Sequence, residues 1–346
     1  MYRIQPIYRS LFVVLACVVM IAGTAMAAEP IHVSSYDMIQ LERVPGYAHS
    51  PVVVGLSLSL DNQQLVTVGD DHKARIWDLT TGKLSKELYD QHDWIRAVQF
   101  RPDGKVFATG GNDRNMYCYD AKTFERLFQF RSANYAVTSL SFSPDSKRMA
   151  MVGYDASVVL YDTVHGREMQ RWQLTCVSQD SVKFSPDSHY LVAGGRDGNV
   201  RVFDTTNGTV VADFQQHKRR VNALAFSPDG SLLATGSDDQ TVCIWSMQSL
   251  KLVKTYQYPS GKVRSLTFCG PELVAAGSAT NTICVWNVNG DNAPVYTMDE
   301  HKGTVAELVW DASRNVLVSC GFDSTIRFWK FSNGVSVAEA PTSIVR

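Results

Sequence analysis

The sequence is short of charge. Asp, Glu, Lys and Arg make up 19% of its 346 residues, against ~25% in ordinary soluble domains. Helical bundles and coiled coils spend more residues on charge, so the deficit leans towards strands. Neither sign dominates: 33 Lys+Arg face 34 Asp+Glu. A non-specific nucleic-acid binder neutralises many phosphates with cations, and this balance does not supply them. No nucleic-acid partner is expected. The seven cysteines form no CxxC, CxxCH or Cys/His ligand spacing, which leaves haem attachment and structural zinc unsupported. Six of them (Cys118, Cys176, Cys243, Cys269, Cys284 and Cys320) are too few for a disulfide framework in a chain this long, and are expected as small buried apolar groups. GxxxxGK[ST], HExxH and GxSxG are also missing. No metal and no cofactor is expected. Beyond the N-terminus, no long apolar run occurs.

The N-terminus reads as an export signal. Arg3 and Arg9 make a positive region. Leu11–Ile21 (LFVVLACVVMI) is an apolar stretch, and Ala25-Met26-Ala27 fits the small-x-small pattern of signal peptidase. Residues 1–27 are therefore expected to be removed, leaving a chain that begins at Ala28. The alternative is an uncleaved anchor, since Leu11–Ala28 is long enough to span a bilayer. Val-Leu-Ala-Cys at Cys17 is a poor lipoprotein signal.

The remainder is organised by an internal repeat. DHKARIWD, DRNMYCYD, DASVVLYD, DGNVRVFD, DQTVCIWS, TNTICVWN and DSTIRFWK each end close to an aromatic: Trp77, Tyr119, Tyr161, Phe203, Trp245, Trp286 and Trp329. The steps between these aromatics are 42, 42, 42, 42, 41 and 43 residues. That period is the value for a propeller blade. Turn signals recur in register, such as RPDGK at Arg101, SPDGS at Ser227 and TTGKL at Thr80. GGRDGN at Gly194 is one of these turns rather than a phosphate loop. Short β-branched and aromatic runs lie between them, four per unit.

On these residues the chain resembles the WD-repeat β-propeller family. The resemblance implies an all-β, seven-bladed propeller with four antiparallel strands per blade over residues 38–330. Residues 28–37 would form a lead-in and 331–346 a C-terminal tail. Innermost strands are expected near Val53, Ile95, Val137, Gln179, Val221, Val263 and Val305. Only six outer strands follow in the array, so one terminus must complete the last blade. Ile39–Val44 is favoured over Val335–Ala340. Closure removes sheet edges, which otherwise template aggregation.

The resemblance also implies a structural tetrad of His, Ser or Thr, Asp and Trp. His49, Thr67, Asp71 and Trp77 match it, as do His217, Thr235, Asp239 and Trp245, and His301, Ser319, Asp323 and Trp329. His92, Thr109, Asp113 and Tyr119 match with Tyr for Trp. Units three, four and six lack the His. They also lack the hydroxyl, carrying Met151, Ala193 and Ala276 instead. Losing both partners is close to neutral, whereas one buried orphan costs about 1–3 kcal/mol. A hydroxyl, a His and an Asp together imitate a hydrolase triad. Four near-copies, one per repeat, fit a structural lock far better.

In this family the inter-blade loops and the turns between second and third strands share the usual partner face. The matching positions include Trp94, Arg96, Asn112, Tyr154, Arg196, Arg220, Asn222, Asp238, Lys262, Arg264 and Phe322. Aromatics and Arg are enriched in binding hot spots. Arg196, Arg220, Lys262 and Arg264, with Lys218 and Arg219, suggest a basic sector that would attract an acidic peptide or an anionic envelope component. The leading expectation is a non-enzymatic protein-interaction platform, exported to the envelope or beyond. The alternatives are a lactonase-like or quinoprotein-like propeller enzyme, and a small-ligand or glycan sensor at the channel mouth.

Overall fold

A computed structural model describes residues 3–4, 31–32, 35–43, 49–131, 135–175 and 178–331. Among these residues there is no helix. Seven sheets follow one another in a ring, each built on four antiparallel strands; the first six are meanders, and the last takes its outer strand from the N-terminal segment. The second blade is typical: Ile95–Phe100, Val106–Gly111, Asn115–Asp120 and Arg126–Arg131 pair in order. All seven predicted innermost strands begin at the residues expected, from Val53 to Val305.

Burial explains the composition. The second strands carry almost no exposed atoms: Val106–Gly111 and Val316–Gly321 are buried throughout. They are sandwiched between neighbouring blades and have no room for charge. Charge collects on outer strands such as Lys83–Leu88 and on turns. The core is a set of clusters that bridge adjacent blades. Trp77 of the first blade packs with Val316, Val318 and Cys320 of the last. Phe214 stacks on Trp245 with ring centroids 4.1 Å apart. Burying an aromatic of this size contributes about 1.5–3 kcal/mol.

A glycine fixes each approach where it ends the second strand. A Cβ on Gly111 would lie 2.1 Å from the Trp94 carbonyl oxygen, and one on Gly153 would lie 2.1 Å from that of Ala136. No side chain fits there.

The N-terminal segment closes the ring. Ser35–Gln40 pairs antiparallel with Thr325–Lys330, with Ile39 opposite Ile326. The donor is the expected terminus, but the strand starts four residues before Ile39–Val44 and reaches into the expected lead-in. The reason is alternation: Ile39 and Leu41 are buried, whereas Glu42 and Arg43 are exposed. A polar clasp fastens the strand. Arg327 donates to Glu300 at 2.7 Å and to the Ser35 hydroxyl at 3.1 Å, and the Ser35 N–H donates to Glu300 at 3.2 Å.

Phe331, expected to open the tail, is 5% exposed and stacks on Tyr296 and Trp310. The rival donor Val335–Ala340 lies outside the described residues. Two further pairings flank the ring. Arg3–Ile4 adds to the outer edge of Ser35–Gln40, and Ile31–His32 runs parallel to Tyr296–Met298. Among the described residues no helix is long and apolar enough to cross a membrane.

The described cysteines, Cys118, Cys243, Cys269, Cys284 and Cys320, are free and buried. Burial pushes the Cys118 thiol up to about 12 and that of Cys284 to about 11, which makes them poor nucleophiles. Cys17 and Cys176 lie outside the described residues.

Candidate functional site

Two of the four expected tetrads assemble in full. In the fifth blade His217 Nδ1 lies 3.1 Å from Asp239, and its Nε2 lies 2.7 Å from the Thr235 hydroxyl. That hydroxyl accepts the Trp245 indole N–H at 3.0 Å. In the seventh, His301 lies 2.9 Å from Asp323 and 2.7 Å from the Ser319 hydroxyl, which accepts from Trp329 at 2.8 Å. Both imidazoles are almost wholly enclosed, and every member has a partner. Burial disfavours the charge on His217, but Asp239 and Cys243 together outweigh it and its pKa rises to about 9. Asp239 is held below the usual carboxylate range: burial opposes this, and the bonds from His217 and Thr241 prevail. Such a network locks a blade and is closed to substrate.

The other two do not assemble as expected. In the first blade Trp77 donates to Thr67 at 2.9 Å. Asp71, however, is engaged by the buried Arg75, which also donates to Glu87 at 2.9 Å. The His49 side chain is 61% exposed, bonds the Ser50 carbonyl and faces Asp70 at 3.7 Å. A guanidinium that forks between two carboxylates is the stronger partner and takes the Asp. In the second blade His92 is exposed, and the buried residue is Gln91, whose amide donates to Asp113 at 3.4 Å. The sequence held this signal. His217 and His301 stand 22 residues before their Asp, and so does Gln91, whereas His92 stands 21 before. Gln91 Oε1 and Asp113 Oδ2 are buried without a protein hydrogen-bond partner.

The expected partner face is one continuous end of the ring. Backbone bonds hold the inter-blade loops to the turns: Asn112 N–H donates to Trp94 O at 2.8 Å, and Asp238 N–H to Arg220 O at 2.9 Å. Trp94, Tyr154 and Phe322 are 43%, 38% and 50% exposed. Nothing in the packing requires these large rings at turns. Arg96 bonds Asn112 and lies over two rings, 5.7 Å from the Trp94 centroid and 5.4 Å from that of Tyr154.

The basic sector is more balanced than its cations suggest. Arg220 lies 3.5 Å from Asp180, and Asp238 lies 3.5 Å from Arg264 and 3.7 Å from Lys262. Asn222 ties the group together by donating to Asp238 at 2.8 Å and accepting from Arg264 at 3.2 Å. Burial raises the Asp180 pKa, with Arg220 opposing it. Arg196 is exposed, with no carboxylate beside it among the described residues. Sequence reasoning missed Asp180 as a counter-charge, although it flanks the same strand position as Asn222 and Arg264.

Among the described residues no group of three His, Cys, Asp or Glu side chains could hold a metal. The innermost strands carry Asp180, Glu307 and Asp311; burial raises the Glu307 pKa, and Lys183 partly offsets it.

The family model for the WD domain, G-beta repeat, matches residues 42–78, 82–120, 124–162, 170–204, 208–246 and 292–330. The stretch without a match holds the sixth blade, where Ala276 and Thr280 replace the tetrad hydroxyl and Asp. An uncharacterized WD repeat-containing protein of Synechocystis sp. is 36% identical over 75 residues. The aligned segment spans 21% of this chain and 21% of that protein.

Proposed function

This chain belongs to the WD-repeat family, and from that premise we propose that it is a non-enzymatic protein-interaction platform, exported to the cell envelope. The observation that carries the reading is the face bearing Trp94, Arg96, Tyr154 and Phe322. It presents large exposed rings and a guanidinium on a backbone in which hydrogen bonds hold each blade's entry loop to its own turn, with little ordering left to be done on binding. The tetrads are interior locks and take no part.

Export rests on the leader pattern of residues 1–27, of which only Arg3–Ile4 are described. Removal of the leader would take away the Arg3–Ile4 pairing and keep that of Ile31–His32. N-terminal sequencing of protein recovered from the envelope fraction tests it. A start at Ala28 supports export, and an intact Met1 in the membrane fraction supports the anchor instead.

The interaction reading is tested by affinity capture, followed by titration of the identified partner against the Trp94→Ala/Arg264→Ala variant. Binding is expected to weaken at least ~10-fold, with the melting temperature unchanged. Equal affinity for a verified partner would reject the assignment of this face.

A further inference from the structure

We propose that the surface where the second and third blades meet is a receptor for a carboxylate side chain of a peptide partner, with Arg96 as its anchor and the Trp94 and Tyr154 rings beside it. The inference rests on reading this end of the ring as the partner face, and names the partner's chemistry.

The observation behind it is a difference among the cations of the face. Arg220, Lys262 and Arg264 each have a carboxylate within 4 Å. Arg196 has none, but it stands exposed without a ring beside it. Arg96 differs from all of them. Its Nε donates to the neutral Asn112 carboxamide. Among the described residues no carboxylate lies within ion-pair distance of it, and its two Nη groups have no acceptor. Rings cover its flanks. A guanidinium with rings against it and its Nη groups unbonded keeps N–H donors for an incoming acceptor, and a carboxylate matches that fork. The flanking rings displace water, which strengthens the attraction to an incoming anion.

The frame is built rather than incidental. Asn112, which orients Nε, is itself held by its N–H to Trp94 O. Gly111 admits the Trp94 carbonyl of its own blade and Gly153 that of Ala136, where any Cβ would collide. The Tyr154 N–H donates to Ala136 O at 3.2 Å and fixes the third-blade side. Trp94 and Tyr154 remain 43% and 38% exposed. An apolar or aromatic neighbour of the carboxylate therefore has a surface to cover. The occupant is a peptide carrying Asp or Glu next to such a side chain. The basic sector of blades four to six, already interleaved with Asp180 and Asp238, is the weaker anchor.

The test is a phage-displayed random dodecapeptide library panned on the full chain. Selected peptides are then titrated against the native chain, Arg96→Gln and Phe322→Ala. The expected result is enrichment of Asp or Glu beside an aromatic or large aliphatic residue. Replacing that acid by Asn or Gln, or Arg96 by Gln, should lower affinity about 10- to 100-fold. The native affinity should fall as salt rises. Peptides without an acidic preference that tolerate Arg96→Gln but are lost in Phe322→Ala overturn this inference and leave the partner face standing. Recovery of no peptide that competes at this face overturns both.

Discussion

The fifth and first blades carry the same four residue types at the same spacing, yet only the fifth completes the chain from Asp to indole. His217 and His49 both stand 22 residues before their Asp. His217 is enclosed between Asp239 and Thr235. His49 is out in solvent, and Asp71 is engaged by Arg75. The difference lies on the third strand, four residues after the Asp. The fifth blade has Cys243 there, whereas the first has Arg75, which turns onto Asp71; the seventh also has an arginine, Arg327, but Ser35 and Glu300 hold it and leave Asp323 to His301. Spacing is therefore necessary for the lock, but a stronger buried partner for the Asp overrides it.

The largest effect is expected where the first blade has substituted one lock for another. Asp71→Ala takes from the buried Arg75 guanidinium the carboxylate it forks onto and should cost about 3–5 kcal/mol, read from urea unfolding at constant slope. A cost no greater than that of His49→Ala would show that Arg75 is not the partner that matters. His217→Ala and His301→Ala come next. Each removes the imidazole that links a buried hydroxyl to a carboxylate, leaving both with only their remaining bonds, and should cost about 2–3 kcal/mol.

The fifth-blade lock has a pH signature. The folded pKa of His217 lies near 9, above its ordinary value of 6.5. Its stabilisation is therefore full below about 6.5 and is lost as pH rises through about 9. Asp239 has the opposite sense. Its depressed pKa gives stability above its ordinary value of 3.8, lost as pH falls through its lowered folded value. The stability gap between the native chain and His217→Ala should thus be wider at pH 6 than at pH 10. A gap unchanged across that range would mean that the His217–Asp239 charge pair is not formed.

The smallest effects complete the contrast. His49→Ala and His92→Ala should stay within about 0.5 kcal/mol, as for ordinary surface changes. Gln91→Ala should cost about 1–2 kcal/mol, since it orphans Asp113 further. If His92→Ala proved the costlier of that pair, the placement of Gln91 in the lock would be wrong.

The fold was legible because it repeats. A 42-residue step placed all seven innermost strands, and the need for a closing strand pointed to the correct terminus. What stayed hidden depends on partners far apart in sequence. Glu300 and Arg327 meet Ser35 only when the ring closes, and no local pattern announces that clasp. The same holds for the face. Trp94, Tyr154 and Phe322 were visible as unneeded aromatics. That Arg96 lies over rings of two different blades, while Asp180 and Asp238 quiet the neighbouring cations, is a property of the assembled ring. Gln91 is the one case where a closer count of spacing was enough.

The central division is between interior locks that hold the ring and an exposed face proposed to bind. The most direct test is to measure, for one verified partner, affinity and melting temperature together in Trp94→Ala/Arg96→Gln and in His301→Ala. The face variant should lose at least ~10-fold in affinity with its melting temperature retained. The lock variant should melt several degrees lower and, at a temperature where it remains folded, bind as the native chain does. A lock variant that loses binding while keeping its melting temperature, beside a face variant that binds normally, would contradict the account.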